Sequence, residues 1–117
     1  MEAFAARWIA GWNARDIDAV LAPFADDARF ISPLATGLTG MSIIHGKQAL
    51  RLYWLKALEA APSLRFTLIS TICDVDRQEL ALHYMVERNG QAMRAMETIR
   101  FAKGRPVEGQ TFFGTRI

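Results

Sequence analysis

Largely apolar positions alternate with positions of mixed character on both sides of Asn89-Gly90 in residues 79–103, ELALHYMVERNGQAMRAMETIRFAK. Asparagine and glycine tolerate positive φ, so this dipeptide predicts a two-residue hairpin turn. Arg88 then pairs with Gln91, and counting outward places Leu82 opposite Glu97. The stretch therefore predicts two antiparallel strands, 79–88 and 91–103, whose register is set by the turn.

One face of this hairpin is apolar except at Glu97. A charged carboxylate is costly in apolar surroundings, so we expect Glu97 either to pair with a cation or to have a raised pKa. A carboxyl group in that situation is a candidate site. The alternative is a structural role, at a frayed sheet edge or bonded to Tyr84 or an indole. The other side chains of this face are Leu82, Tyr84, Val86, Met93, Ala95, Ile99 and Phe101.

The opposite face of the hairpin is mixed in character. Helices that cover the first face cannot also cover this one, and monomers rarely expose a large apolar patch. We therefore expect a homodimer through the outer sheet face, which would bury the same patch on both chains. The side chains of the outer face are Ala81, His83, Met85, Arg94, Met96, Thr98 and Arg100.

The remaining sequence predicts three helices that precede most of the sheet. Apolar residues recur at helical spacing in 2–14, in 17–24 and between Gly46 and Pro62. Asp26 and Asp27 favour a turn, and the residue before Pro33 favours an extended backbone, so 28–32 predict a short strand. Residues 34–45 predict an irregular loop long enough to serve as a lid or binding loop. From residue 64 onward the side-chain character alternates with a period of two residues, which predicts strands at 64–75, 79–88, 91–103 and 106–116.

These elements predict a single α+β domain, residues 1–117, with three N-terminal helices packed on a mostly antiparallel sheet. The register of the last strand stays open. A three-residue turn at Lys103–Arg105 would place Gly109 opposite Ile99 and Thr111 opposite Glu97. A two-residue turn would point Gly109 and Thr111 to the sheet face opposite Glu97.

Composition narrows the class of protein. The 117 residues are 51% hydrophobic, enough for one core. No apolar run approaches the ~18 residues of a membrane span, and Met1-Glu2 opens no basic signal region, so we expect a soluble cytoplasmic protein. Cations and acids are interleaved, which argues against nucleic-acid binding.

No spacing resembles a metal site or a phosphate loop, so we expect no metal and no cofactor. Cys73, in an alternating apolar segment, is expected to be buried.

Three stretches together resemble the SnoaL-like and ketosteroid-isomerase-like branch of the nuclear transport factor 2 superfamily. They are RWIAGWNARDIDAVLAPFADDARFISP (7–33), HGKQALRLYW (45–54) and ETIRFAKGRPVEGQTFFG (97–114). The resemblance implies a cone-shaped, cystatin-like fold in which a curved sheet wraps round a long helix and encloses an apolar pocket. It also implies a dimer through the outer sheet face. The superfamily includes isomerases, polyketide cyclases, hydrolases, dehydratases and binding proteins, so the resemblance alone leaves the reaction open.

The resemblance also carries over residue by residue. Steroid isomerases have an aspartate base where this chain has Ser32, and a protonated aspartate where it has Glu97. Their two pocket tyrosines fall on Trp8 and Trp54. An indole donates one hydrogen bond but is not a phenol acid. Only the carboxyl function of Glu97 is retained, so we do not expect ketosteroid isomerisation.

The sequence thus predicts a protein that binds a hydrophobic small molecule, cyclic or polyketide-like, with isomerase, cyclase, lyase or hydrolase chemistry through Glu97. A non-catalytic binding or dimeric interaction module is the alternative. Tyr84, Ser32 and His45 are the expected catalytic helpers; His45 would lie near the pocket mouth, where an imidazole can move protons. The predicted ligand-binding residues are Trp8, Trp12, Phe30, Tyr53, Trp54, Phe66, Leu82, Ile99, Phe101 and Thr111.

Overall fold

A computed structural model describes residues 1–33, 35, 40 and 42–116. In that described part, helices pack on the inner face of one curved, open sheet with strand order β2-β1-β6-β5-β4-β3. Strands β1 and β6 run parallel, and the other described pairs are antiparallel. The predicted α+β fold is confirmed. The elements are α1 (Glu2–Asn13), α2 (Ile17–Leu21), β1 (Arg29–Ile31), β2 (Ile43–His45), α3 (Lys47–Glu59), β3 (Arg65–Asp74), β4 (Glu79–Arg88), β5 (Gln91–Ala102) and β6 (Arg105–Arg116).

The β4–β5 hairpin has the predicted register. Arg88 pairs with Gln91 and Leu82 with Glu97. Asn89 and Gly90 both have positive φ, +54° and +78°, as a two-residue turn of this type requires. Alternate residues of β4 are buried, and the residues between them, His83 among them, lie half-buried on the outer face. The turn therefore decides which side chains enter the core.

The β5–β6 connection combines both alternatives that the sequence left open. Lys103 and Gly104 form a two-residue turn with φ of +52° and +76°, and Ala102 pairs with Arg105. A β-bulge then follows, because Phe101 pairs with Pro106 while Arg100 pairs with Glu108, so that Val107 is the extra residue. Because of this extra residue, the following side chains of β6 face the same side of the sheet as they would after a three-residue turn. Gly109 accordingly pairs with Ile99, and Thr111 with Glu97.

Two predicted boundaries were wrong. Helix α2 ends at Leu21 instead of Phe24, because Pro23 has no backbone N–H with which to continue the helix. Part of the predicted 34–45 loop is a strand, β2, whose alternating Ile43-Ile44-His45 pairs with β1. Residues 34, 36–39 and 41 of that loop lie outside the described residues, and its predicted role as a lid or binding loop stays a prediction.

Cys73 is exposed rather than buried, which corrects the sequence expectation. Strand β3 forms one edge of the sheet and contains a bulge at Ile69, between the pairs formed by Leu68 and Ser70. Phe66, before this bulge, is buried, whereas no residue of β3 beyond Leu68 is. The alternating pattern continues past the part of the strand that the helices cover. Among the described residues, no helix is long and apolar enough to cross a bilayer.

The segment Asn13–Asp16 connects α1 to three other elements. The Asn13 side chain donates to the Phe66 carbonyl (2.8 Å) and accepts from the Phe66 N–H (2.7 Å), which ties the end of α1 to β3. Arg15 donates to the carbonyls of Leu58 and Ala61 at the C-terminus of α3. Asp16 caps α2 by accepting from the Ala19 N–H at 3.1 Å. The break between the first two helices therefore holds both helices, and α3, in place.

Helix α1 also lies very close to α2. A Cβ added at Gly11 would be 2.7 Å from Cγ2 of Val20, a side chain with little rotamer freedom. The absence of a side chain at Gly11 thus permits the close contact between these helices. That contact, together with the Asn13 hydrogen bonds, positions Trp8 and Trp12, which are both buried.

We expect Asn13→Ala to lower the free energy of unfolding by about 1–3 kcal/mol, because two part-buried backbone groups of Phe66 lose their partner. Urea denaturation followed by circular dichroism measures this change. Gln48→Ala, which removes an exposed amide from α3, is the matched control and should change stability by less than about 0.5 kcal/mol. Equal stability of the two variants would contradict the role given to Asn13.

Candidate functional site

Glu97 lies near the centre of the inner sheet face and is 2% exposed. The hydroxyl of Thr111, directly across on β6, donates to Oε1 of Glu97 at 2.6 Å. The hydroxyl of Tyr84 on β4 donates to the same oxygen at 3.1 Å. Oε2 is buried and finds no hydrogen-bond partner among the described residues. One carboxyl oxygen is thus held by two hydroxyls while the other is unpaired.

Burial raises the pKa of Glu97 from 4.5 to about 8, although the hydrogen bonds from Thr111 and Tyr84 act in the opposite direction. Glu97 is therefore mostly neutral at pH 7. Since both hydroxyls donate to Oε1, the carboxyl proton belongs on Oε2, the unpaired oxygen. The pKa of Tyr84 is raised too, first by burial and then by the neighbouring Glu97. The neutral carboxyl group of Glu97 can act as a hydrogen-bond donor and as an acid.

Aromatic rings surround this carboxyl group. Trp8 stacks on Phe66 with ring centroids 5.4 Å apart, and the centroid of Tyr84 lies 5.4 Å from that of Trp8. Trp12 meets Trp54 edge to face at 5.4 Å. The indole nitrogens of both Trp8 and Trp12 are buried without a hydrogen-bond partner in the described part of the chain. Rings from α1, α3 and the sheet thus form one continuous apolar wall.

A cavity of about 90 Å³ lies between these rings and Glu97. Tyr53 lines it and donates from its hydroxyl to Ser32 Oγ at 2.8 Å. Burial raises the pKa of Tyr53, with the bond to Ser32 opposing that shift. Ten residues predicted for the site line this cavity: Trp8, Trp12, Phe30, Ser32, Tyr53, Trp54, Phe66, Tyr84, Glu97 and Thr111.

Four other predicted residues are not among those that line the cavity. Leu82 and Ile99 are completely buried in the core. Phe101 packs edge to face against Phe4, with ring centroids 5.4 Å apart. His45 is the fourth. Leu82, Ile99 and Phe101 share a sheet face with Glu97, but this part of the face lies under the helices and not beside the cavity.

His45 lies at the end of β2, exposed and paired with Arg29. It lines a separate surface cleft of about 890 Å³ beside the N-terminus of α3. Three charged side chains of that cleft have partners: Arg51 pairs with Asp18 at 2.8 Å, and Lys47 donates to the backbone carbonyls of Ala22 and Phe24. The structure therefore does not bring His45 together with Glu97.

Sequence reasoning missed six residues that line the cavity. Val86 and Arg88 follow Tyr84 on the inner face at a spacing of two, so the hairpin register could have identified both. Phe113 follows Thr111 in the same way, but only once the β6 register is known. The three others, on α3 and the segment after it, are small or aliphatic and carry no chemical signal. All six are Ala57, Ala61, Leu64, Val86, Arg88 and Phe113.

The described residues do not bring three His, Cys, Asp or Glu side chains together as a metal site. The polar groups of the cavity are hydroxyls, indoles, one carboxyl group and Arg88. These groups can donate hydrogen bonds into the cavity.

We expect the stability of the protein to decrease as the pH rises from about 5 to 9. Folding raises the pKa of Glu97 from 4.5 to about 8. Between these two pKa values the folded state binds more protons than the unfolded chain, so stability falls as the pH rises. The loss should be on the order of a few kcal/mol. Urea titrations at several pH values would measure it.

Glu97→Gln should remove most of this pH dependence, because the amide keeps the shape of the neutral acid and does not titrate. Glu59→Gln, on the exposed surface of α3, is the matched control and should retain the pH dependence. A wild-type stability that is flat over this range would contradict a neutral, buried Glu97.

Comparison with known proteins agrees with this architecture. The family profile of a SnoaL-like domain matches residues 5–109. The crystal structure of a SnoaL-like protein of unknown function from Burkholderia thailandensis is 31% identical, with a TM-score of 0.86 over 97% of this chain and 93% of that one. None of the curated proteins matches the chain.

Two further solved structures share the fold at lower identity. A protein of unknown function with a cystatin-like fold from Methylobium petroleophilum is 20% identical, with a TM-score of 0.80, over 97% of this chain and 75% of that one. TerC, co-crystallised with polyporic acid, is 13% identical with a TM-score of 0.81, over 97% of this chain and 90% of its own. The profile match, the 31% identical relative and the helix-on-sheet architecture agree, and the chain belongs to the SnoaL-like family.

Proposed function

We propose that the protein binds a small, apolar, oxygen-containing molecule in the Glu97 cavity, and that Glu97 acts on it as an acid. The observation that carries this proposal is the Oε2 atom of Glu97, which is buried and unpaired beside a cavity lined by aromatic rings. An unpaired polar group in such a place costs about 1–3 kcal/mol. A ligand oxygen that accepts a hydrogen bond from Oε2 would remove that cost.

The chemistry we propose is reversible proton transfer. The proton on Oε2 passes to an oxygen of the ligand, and the carboxylate left behind is stabilised by the hydroxyls of Tyr84 and Thr111, which already donate to Oε1. The carboxylate can then take a proton back from the ligand. A pKa of about 8 suits such a group, because a general acid works best when its pKa is near the ambient pH.

The reaction class follows from what this exchange permits. Protonation of a carbonyl or leaving-group oxygen is shared by isomerases, cyclases, lyases and hydrolases. Ser32 stands where isomerases of this superfamily have their carboxylate base, and it accepts a hydrogen bond from Tyr53. We therefore propose no ketosteroid isomerisation. His45 is left out of the proposed mechanism because it lines a different cleft.

The size of the cavity limits the ligand. About 90 Å³ is smaller than the ~150 Å³ engineered cavity that holds benzene, and well below the ~300 Å³ at which drug-sized pockets begin. This favours a single-ring compound, which would have to extend toward half-buried Arg88 and 37%-exposed Phe113. TerC, which was co-crystallised with polyporic acid, supports the proposal that this fold accommodates an oxygenated ring compound.

The alternative is binding without catalysis. The small cavity favours it, as does the absence of a second carboxyl group among the described residues that line the cavity. Native mass spectrometry of the protein as purified from cells would identify a molecule retained in the cavity. Conversion of that molecule by wild-type protein, lost in Glu97→Gln, would decide for catalysis. Unchanged release of the molecule would decide for binding.

We also propose that the protein is cytoplasmic, as its sequence predicts.

We expect the protein to bind cyclohexanone more weakly as Glu97 loses its proton. At pH 9, one unit above a pKa of about 8, about one tenth of the molecules keep the neutral acid, so affinity should fall up to about tenfold from its value at pH 6. NMR titration measures both dissociation constants. Glu97→Gln should bind cyclohexanone at both pH values alike. The proposal would be rejected by the absence of binding at pH 6, or by equal wild-type affinity at the two pH values.

We also propose that the protein forms a homodimer through the outer sheet face. Ile72 on β3 is 63% exposed and Phe112 on β6 is 47% exposed, and both lie on the face opposite Glu97. Met85 and Met96 between them are half-buried. A second copy with the same surface would cover these side chains on both chains at once.

Met96→Asp should convert the proposed dimer to a monomer, because it would place a charge on each side of the interface centre. Sedimentation equilibrium at micromolar concentration measures the state of association. Leu52→Asp, which introduces the same charge at a residue of α3 that is 61% exposed, is the matched control and should leave the dimer intact. A wild-type monomer, or a Met96→Asp dimer of unchanged affinity, would contradict this interface.

A further inference from the structure

Two buried hydrogen-bond donors of the cavity wall are not used by the proposed proton transfer. Trp8 is 3% exposed and Trp12 is 5% exposed. Their indole nitrogens have no hydrogen-bond partner among the described residues, although buried tryptophans usually find one. Leaving two such N–H groups unpaired is unfavourable, because each loses the hydrogen bond that water gives it in the unfolded chain. Both side chains line the cavity that contains Glu97.

The three unpaired groups belong to one wall. Trp8 and Trp12 are one turn apart on α1, with ring centroids separated by 6.0 Å. The ring of Trp8 also lies 5.4 Å from that of Tyr84, whose hydroxyl is bonded to Glu97. Both indole side chains and the carboxyl group thus line the same small cavity.

All three groups offer a proton. An indole N–H can donate and never accept. Oε2 of Glu97 carries the carboxyl proton, because the hydroxyls of Tyr84 and Thr111 both donate to Oε1. A ligand whose polar groups are carbonyl oxygens would satisfy these donors. A ligand whose polar groups are amines would leave its own protons facing donors.

We propose that the ligand has at least two acceptor oxygens, as in a small cyclic diketone or quinone, and that Trp8 and Trp12 determine this specificity. One oxygen accepts from Oε2 of Glu97 and the other accepts from the indole N–H groups. This inference rests on the proposed function, since it describes the ligand of the same cavity. It assigns the indoles a binding role that a purely apolar lining would not require.

Water is the competing occupant. The cavity of about 90 Å³ has room for roughly three water molecules at ~30 Å³ each, and these would accept from the same N–H groups. A ligand with two acceptor oxygens replaces such hydrogen bonds when it displaces the water, whereas a hydrocarbon does not. The comparison of matched ligands therefore separates the two kinds of occupant.

The test uses cyclohexane-1,4-dione, cyclohexanone and cyclohexane, which share one ring and differ in the number of oxygens. In the 15N-labelled protein the three tryptophans give three indole N–H resonances, which NOE spectra of the wild-type protein assign. We expect the dione to move the Trp8 and Trp12 indole protons downfield and cyclohexane to leave them nearly unchanged. We also expect the dione to bind about threefold to tenfold more tightly than cyclohexanone, the effect of one added hydrogen bond.

Trp8→Phe and Trp12→Phe should reduce this preference for the dione. If either variant fails to fold, the indole resonances of the wild-type protein still decide the question. Unmoved indole resonances with bound dione, or equal affinity for dione and cyclohexanone, would overturn the specificity given to the indoles. In that case, pH-dependent binding of cyclohexanone would still support the proposed function. Failure to bind either ketone would overturn both.

Discussion

The two hydrogen bonds between the Asn13 side chain and the backbone of Phe66 hold the first helix against the sheet, and the interior of the protein depends on that junction. Trp8 and Trp12 project from this helix, while Tyr84 and Glu97 project from the sheet. The cavity is the space left between the two. Because Arg15 and Asp16 connect the same segment to α3 and α2, a short break between helices sets where Trp8 and Trp12 lie relative to Tyr84 and Glu97.

The electrostatics of the interior follow from this enclosure. A carboxyl group buried among aromatic rings is stable there mainly in its neutral form. The hydroxyls of Tyr84 and Thr111 hold Oε1 and thereby direct the proton to Oε2, toward the unpaired side of the group. Where the steroid isomerases that the sequence resembles combine an aspartate base with a protonated aspartate, this chain has Ser32 and Glu97. A cavity with one titrating carboxyl group is suited to proton donation and return more than to a relay between two acids.

Much of the fold could be predicted because its signals are local. Asn89-Gly90 set the register of one hairpin, and strict alternation then placed Glu97 on the inner face. Pro23 is also a local signal, because it ends α2 before Phe24, to which apolar spacing alone extends the helix. The position of Thr111 could not be predicted, because it depends on a bulge at Val107 that no residue type announces. Cys73 was misplaced because a strand pattern does not reveal how far the helices cover the strand. The cavity itself depends on how rings from four segments pack, and only the structure shows which of them leave space.

The bulge at Val107 has a consequence for how this protein can change in evolution. The two-residue turn and the extra residue together determine whether Thr111 or its neighbours face Glu97. Deleting or inserting one residue between Lys103 and Val107 would reverse the facing of the strand up to the next irregularity, and Gln110 or Phe112 would then enter the core. A compensating change of one residue nearby would restore it. Exposed side chains of this segment outside the two left-handed positions, Lys103 and Gly104, can therefore vary in identity, whereas the length of the segment can change only by an even number of residues or by paired events.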